Sequence, residues 1–437
     1  MSVPDVDTSH GPPLRLPLAH VVIGFGFLLA GVALGALVVA GRLGGFGRLA
    51  PVHLLLVGWV CVTIMGAMEQ FVPVWSGVPL HSRRLAEWAL ALVTAGVIGL
   101  ASAALAGRPQ LLVFGLPAVA GIWTFVYVLL RTLPTIDRGD VTERHFAYAL
   151  CCLAVAVGLG GALAVDFSVP VLARAGISHV AVRSAHATLA LLGGVVLTVV
   201  GALYQLGPMF AGGGGDADAN SPWLRRVEEA TLPLGVVGLA AGRLLASRPV
   251  AVAGAALVVI GTLAFGAVLL RVIARGRAEA TPTAVRYAVV AVALPVWAVL
   301  AAPELLTRPL ETGIVGPPAA AWTLGTVLAA VLVGTLYHVI PFLVWDRRYA
   351  DRVGYEPVPM LDDLYDARVA RADLLGLVFG GGALIAGTAF GIAPVVRGGA
   401  VVVGTALALA AVNLASVVWR HGPVSWGRVE GRPRAGD

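Results

Sequence analysis

The sequence predicts an all-α membrane protein with about twelve transmembrane helices in three pseudo-symmetric four-helix repeats. Three observations predict it. Hydrophobic residues make up 58% of the 437-residue chain and charged residues only 12%, against about 25% charged residues in an ordinary soluble domain. The apolar runs reach roughly 20 residues, enough for a helix to cross a bilayer core. They are continuous and do not alternate, so of the two structures that satisfy their backbone inside lipid, helices are expected and barrel strands are not. Finally, one Gly, polar residue and Pro pattern recurs three times at nearly constant spacing.

In chain order the spans are read at about 18–41, 51–75, 85–107, 110–132, 143–167, 181–211, 229–246, 249–274, 283–305, 318–345, 372–393 and 398–419. The seventh is the weakest, being short and holding Arg243, which is expected to snorkel outward. The sixth and tenth are long enough to tilt or protrude. The expected organisation is a cytoplasmic segment at 1–17 without a cleavable-signal pattern, a single transmembrane domain at 18–420 and a cytoplasmic tail at 421–437. The repeats fall at about 18–132, 143–274 and 283–420.

With the N-terminus inside, 21 of the 30 basic residues, all of them Arg, lie on cytoplasmic segments. The positive-inside rule therefore puts both termini in the cytoplasm and makes the chain a multi-pass plasma-membrane protein. The net charge of +6 comes from these loop arginines, so no nucleic-acid partner is expected, and the lipid bilayer is the expected environment. Cys61, Cys151 and Cys152 sit in apolar runs without ligand spacing and read as small buried residues. Two cytoplasmic loops stand out. Gly212 to Gly215 with Asp216 and Asp218 reads as a flexible connector. The 346–370 loop, with EPVPMLDDLYD, reads as a solvated connector or as a dock for a membrane redox or assembly partner.

The repeat is legible in three segments. The second span contains TIMGAMEQFVPVW, the sixth TVVGALYQLGPMF and the tenth VLVGTLYHVIPFLVW. Gly66, Gly201 and Gly334 align, as do Gln70, Gln205 and His338, and Pro73, Pro208 and Pro341. The offsets are 135 and 133 residues, and four spans separate successive copies. The three landmark positions share one helical face. Gly admits a neighbouring helix, and Pro frees a carbonyl that a nearby polar side chain helps satisfy. Gln70, Gln205 and His338 thus read as interhelical or backbone hydrogen-bonding groups, or as parts of a water or proton path.

At these residues the chain resembles the haem-copper oxidase subunit I superfamily, as a divergent cytochrome c oxidase subunit I-like protein. The resemblance rests on His53 opening HLLLVGWVCVTIMGAMEQFVPVWSG, on His186 in the sixth span and on GTLYHVIP from Gly334 to Pro341. It implies twelve spans in three four-helix sets, a haem-ligating His at the outer end of the second span and a copper-ligating His in the sixth. His53 and His186 are then the candidate metal ligands. The sequence departs from the family where the tenth-span ligands would fall: residues 319 to 321 are Ala. Residues 229–246 hold no His, and position 190 is Ala. Copper therefore lacks most of its ligands, and a haem on His53 would be five-coordinate or use an unusual partner.

His179, Arg183 and His186 follow one another at helical spacing. They read as a cofactor wall, with Arg183 on a propionate, or as interfacial anchors. His20 and His145, near inner ends, read as interface residues. Glu69 occupies the column of Tyr204 and Tyr337. As an intramembrane carboxylate it is a proton-relay candidate, or else a group near enough to the inner surface to be hydrated or one paired with Arg83 or Arg84. Two functional classes stay open: a haem protein for electron transfer or gas binding, and a cofactor-free transporter or assembly scaffold of the same fold.

Overall fold

The computed structural model describes residues 13–133, 140–212, 221–311 and 313–422. The connector at 213–218, the first residues of the N-terminal segment and the C-terminal tail from 423 onward lie outside them. Every regular element among the described residues is helical. We number the long helices α1 (Arg15–Val39), α2 (Gly45–Ser76), α3 (Arg83–Leu105), α4 (Pro109–Thr132), α5 (Val141–Asp166), α6 (His179–Phe210), α7 (Pro222–Leu244), α8 (Arg248–Arg275), α9 (Pro282–Thr307), α10 (Pro318–Arg352), α11 (Ala367–Ala389) and α12 (Ala393–His421).

Eleven of these are long and apolar enough to cross a membrane. The exception is α7, which has 23 residues but carries Arg225, Arg226, Glu228, Glu229 and Arg243. Its start at Pro222 also lies upstream of the boundary read from the sequence, because the charged first turns look like loop until the fold shows where the charges go. Large apolar side chains such as Trp88, Leu234, Phe379 and Val401 are at least 64% exposed. A surface of that kind belongs in lipid.

Helix ends follow local chemistry. Asp140 and Glu143 form a reciprocal capping box at the start of α5. Asp366 accepts from the backbone N–H groups of Arg368 and Val369 to start α11. Gly77, at φ 62°, ends α2 in a left-handed turn that favours glycine.

Three helical hairpins pack through glycine. A Cβ on Gly96 in α3 would lie 2.1 Å from the Ala118 nitrogen in α4. One on Gly242 in α7 would lie 2.3 Å from the Ala251 nitrogen in α8, and one on Gly387 in α11 2.9 Å from the Val396 nitrogen in α12. No other side chain permits such backbone contact. The helices α3, α7 and α11 each have 23 residues.

The helices carrying the Gly–polar–Pro landmark lie innermost. Their apolar windows are 61% buried in α2 and 78% in α6 and α10, against 33–50% in the other candidate spans. In addition, α2 and α6 contain π-helical segments, Leu54–Cys61 and Leu189–Val196. Their starts are 135 residues apart, the offset that relates Gly66 to Gly201. π-Helix is rare and often marks functional sites.

Candidate functional site

A cavity of about 580 Å³ lies among α2, α3, α4, α5 and α6 and has His53, His179, Arg183 and His186 on its wall. All four cofactor-site residues expected from the sequence are therefore brought together. The volume is within the ordinary range for small-molecule sites. Most of the remaining wall is aliphatic or glycine. Gly160 makes room for one imidazole: a Cβ there would come within 2.8 Å of the His186 Cε1.

Both central histidines are held by one ring nitrogen. His53 Nδ1 lies 2.9 Å from the Leu49 carbonyl and His186 Nδ1 lies 2.7 Å from the Ala156 carbonyl. A carbonyl only accepts, so each Nδ1 carries the hydrogen and donates it. Each Nε2 then keeps its lone pair, the arrangement typical of an imidazole poised to ligate a metal. His179 is engaged differently: its Nδ1 pairs with Asp166 at 3.0 Å and its ring meets the edge of Phe167. Arg183 is exposed at the cavity wall.

Among the described residues, no group of three or more His, Cys, Asp or Glu side chains is placed to hold a metal ion. Two imidazoles alone make a poor cage for bare copper. They suit a metal that brings its own ring of donors, as haem iron does.

Away from this cavity lie buried polar clusters of a kind the sequence reading did not anticipate. His145 is fully buried, with Nε2 2.9 Å from Glu228 Oε1, while Tyr204 donates to Glu228 Oε2 at 2.8 Å. Arg286 pairs with Asp373, and Tyr337 donates to the same carboxylate. Asn413 donates to the Tyr337 hydroxyl at 3.0 Å and to the Asp366 carbonyl at 2.9 Å. His20 is also fully buried, not interfacial; its Nε2 lies 3.6 Å from Glu69 Oε2. Glu69 is thus fully buried and not paired with Arg83 or Arg84. In each case the basic residue sits on the helix that faces the landmark glycine. A Cβ on Gly66 would meet His20 Cβ at 2.6 Å, one on Gly201 His145 Cβ at 2.6 Å and one on Gly334 Arg286 Cβ at 3.3 Å. The only available hint in the sequence was polarity inside apolar runs.

The polar landmark residues do not serve the carbonyls freed by proline. Gln205 donates to Asp140 at 2.8 Å, and the carbonyl oxygen of Gln70 has no partner. His338 packs against Phe210 and Phe342. Arg243 does not snorkel. It is 4% exposed, donating from Nε to the Pro309 carbonyl and from Nη1 to Thr188 and the Ile314 carbonyl. Cys151 is exposed on the apolar surface, unlike Cys61 and Cys152. The 346–370 loop is partly tied down: Trp345 donates to the Pro359 carbonyl at 2.7 Å, and the Tyr365 ring packs on Tyr337.

A second cavity, of about 80 Å³, lies between α2, α6 and α10. Its wall repeats in register: Thr63, Thr198 and Val331, then Ile64, Val199 and Leu332, then Ala67, Ala202 and Thr335. These triples carry the 135- and 133-residue offsets of the sequence landmarks.

No protein-family model and no curated protein matches the chain.

Proposed function

We propose that this chain is a membrane haem protein, built as a divergent relative of haem-copper oxidase subunit I, that binds haem in the histidine cavity for electron transfer or for binding a diatomic gas. The observation that carries the reading is the pair His53 and His186. They come from two helices onto one cavity wall, each fixed through Nδ1 to a backbone carbonyl and each with a free Nε2. The donor set fits haem better than copper, since no three-ligand group accompanies it among the described residues. Haem bound there would supply a reversible one-electron couple or an open iron coordination site. The chain's own part is to present imidazole, to exclude water with an aliphatic wall and to hold a propionate at Arg183.

The parent architecture is three four-helix units, α1–α4, α5–α8 and α9–α12, with α7 as a twelfth span. Four features support this reading: the in-register cavity between α2, α6 and α10, the matched π-helical segments, the three glycine-packed hairpins and the basic residue opposite each landmark glycine. In this reading the chain sits in the plasma membrane with both termini facing the cytoplasm, an orientation that the arginine distribution supports.

Purification in mild detergent tests the function. A Soret band with haem extracted at one per chain supports it. A colourless protein that does not take up added haem rejects it and leaves the cofactor-free transporter or scaffold.

A further inference from the structure

In two of the three buried polar clusters the acid is hydrogen-bonded, and in the third it is not. In α7 and α11 the seventh residue is an acid, Glu228 or Asp373. Asp373 accepts from Arg286 and Tyr337, and Glu228 accepts from Tyr204 and is hydrogen-bonded to His145 Nε2. In α3 the seventh residue is Ala89, fully buried. The acid has moved to the tyrosine column, as Glu69. The move removes the hydroxyl donor and shifts the carboxylate to another helix.

The consequence is a row of unpartnered polar atoms. Both oxygens of Glu69 and Nε2 of His20 are buried without a hydrogen bond. So are Thr63 Oγ1, which borders Gly24 of α1 one turn from His20, and Nε1 of Trp59, whose ring borders the same glycine through Cδ1. Leaving such groups unsatisfied is costly, and native proteins keep few of them without a ligand, an ion or water. At 3.6 Å the His20–Glu69 gap is only slightly wider than a hydrogen bond, and a small side-chain movement or a water bonded to both groups closes it. The other charged groups on elements packed against this part of α2 are Arg15, Arg83, Arg84, Glu87 and Arg131, all exposed, and on α5 the half-buried Glu143, which accepts from Ser76, and Arg144, which pairs with Glu229. Among the described residues none lies within ion-pair distance of Glu69, and Arg15 pairs with Glu87.

We infer that His20 and Glu69 form a buried proton-exchange site, served by water along the seam between α1 and α2. His20 Nδ1 donates to the Leu16 carbonyl, so Nε2 holds a lone pair. Glu69 carries one proton and offers it to that lone pair. Passing it across gives a carboxylate and an imidazolium, and returning it restores two neutral groups. Net charge is zero in both forms, so neither incurs the cost of a lone charge within a span. The ligand is a proton with its water, and the site does not depend on any cofactor in the histidine cavity.

Infrared spectroscopy of the full-length protein tests this. The wild-type minus E69Q difference at neutral pH should contain a protonated carboxyl band that shifts within minutes in D₂O. A difference showing only a carboxylate band, or a carboxyl band unmoved by D₂O over hours, overturns the inference. Carbon-13 labelling of glutamate in the wild-type chain reads the same band without a variant.

Discussion

His145 in α5 and Glu228 in α7 meet at 2.9 Å with no exposure to solvent on either side chain. Tyr204 closes the cluster from α6, so three helices depend on one carboxylate. Breaking it leaves an imidazole nitrogen and a hydroxyl buried without partners. E228Q should cost roughly 1–3 kcal/mol, and E228A should cost more than E228Q. Thermal unfolding in detergent measures both. E69Q should cost less than E228Q, because Glu69 has no direct hydrogen bond to another side chain to lose; equal losses would show that the two clusters are equivalent after all.

Landmark glycines should rank by the space around them. G66A and G201A push a methyl group to within 2.6 Å of a histidine Cβ, an overpacking that typically costs about 1–3 kcal/mol. G334A meets the Arg286 side chain at 3.3 Å and should cost less. The same unfolding measurement reads the order. A larger loss for G334A than for G201A would contradict the account of the glycine face.

Arg243 latches the segment between α9 and α10 onto α6 and α7. R243M removes the donors to Pro309, Ile314 and Thr188 while keeping most of the apolar stem. The backbone amides of Leu310, Ile314 and Val315 should then exchange faster with deuterium, with the α7–α8 hairpin little changed. Unaltered exchange in that segment would mean that the latch carries no energy.

Orientation has its own test. Reporter fusions at Asp437 and within the 346–370 loop should both read cytoplasmic. An external signal at either site reverses the assignment drawn from arginine placement.

Much of this was legible in the sequence, for definite physical reasons. Span length and continuous apolarity read directly as helices because lipid leaves the backbone few options. His53, His186, His179 and Arg183 could be selected as residues at span ends, and the fold puts them on one wall. The buried clusters were not legible. His20, His145 and Arg286 lie near charged span boundaries, where polarity reads as interfacial. Their acids are distant in sequence: Glu228 is 83 residues from His145, and Asp373 is 87 from Arg286. Spacing along the chain carries no signal for such a pair. The helix α7 was read too short for the same reason, since Glu228 is charged in sequence and buried in the fold.

The central claim is that His53 and His186 together make a haem site. The most direct measurement is a haem titration of the purified chain alongside H53A and H186A, followed at the Soret band. The account predicts saturation at one haem per chain for the wild type, and a shifted band or weakened uptake in each variant with thermal stability retained. No Soret band in the wild type, or the same band and affinity in both variants, would contradict it.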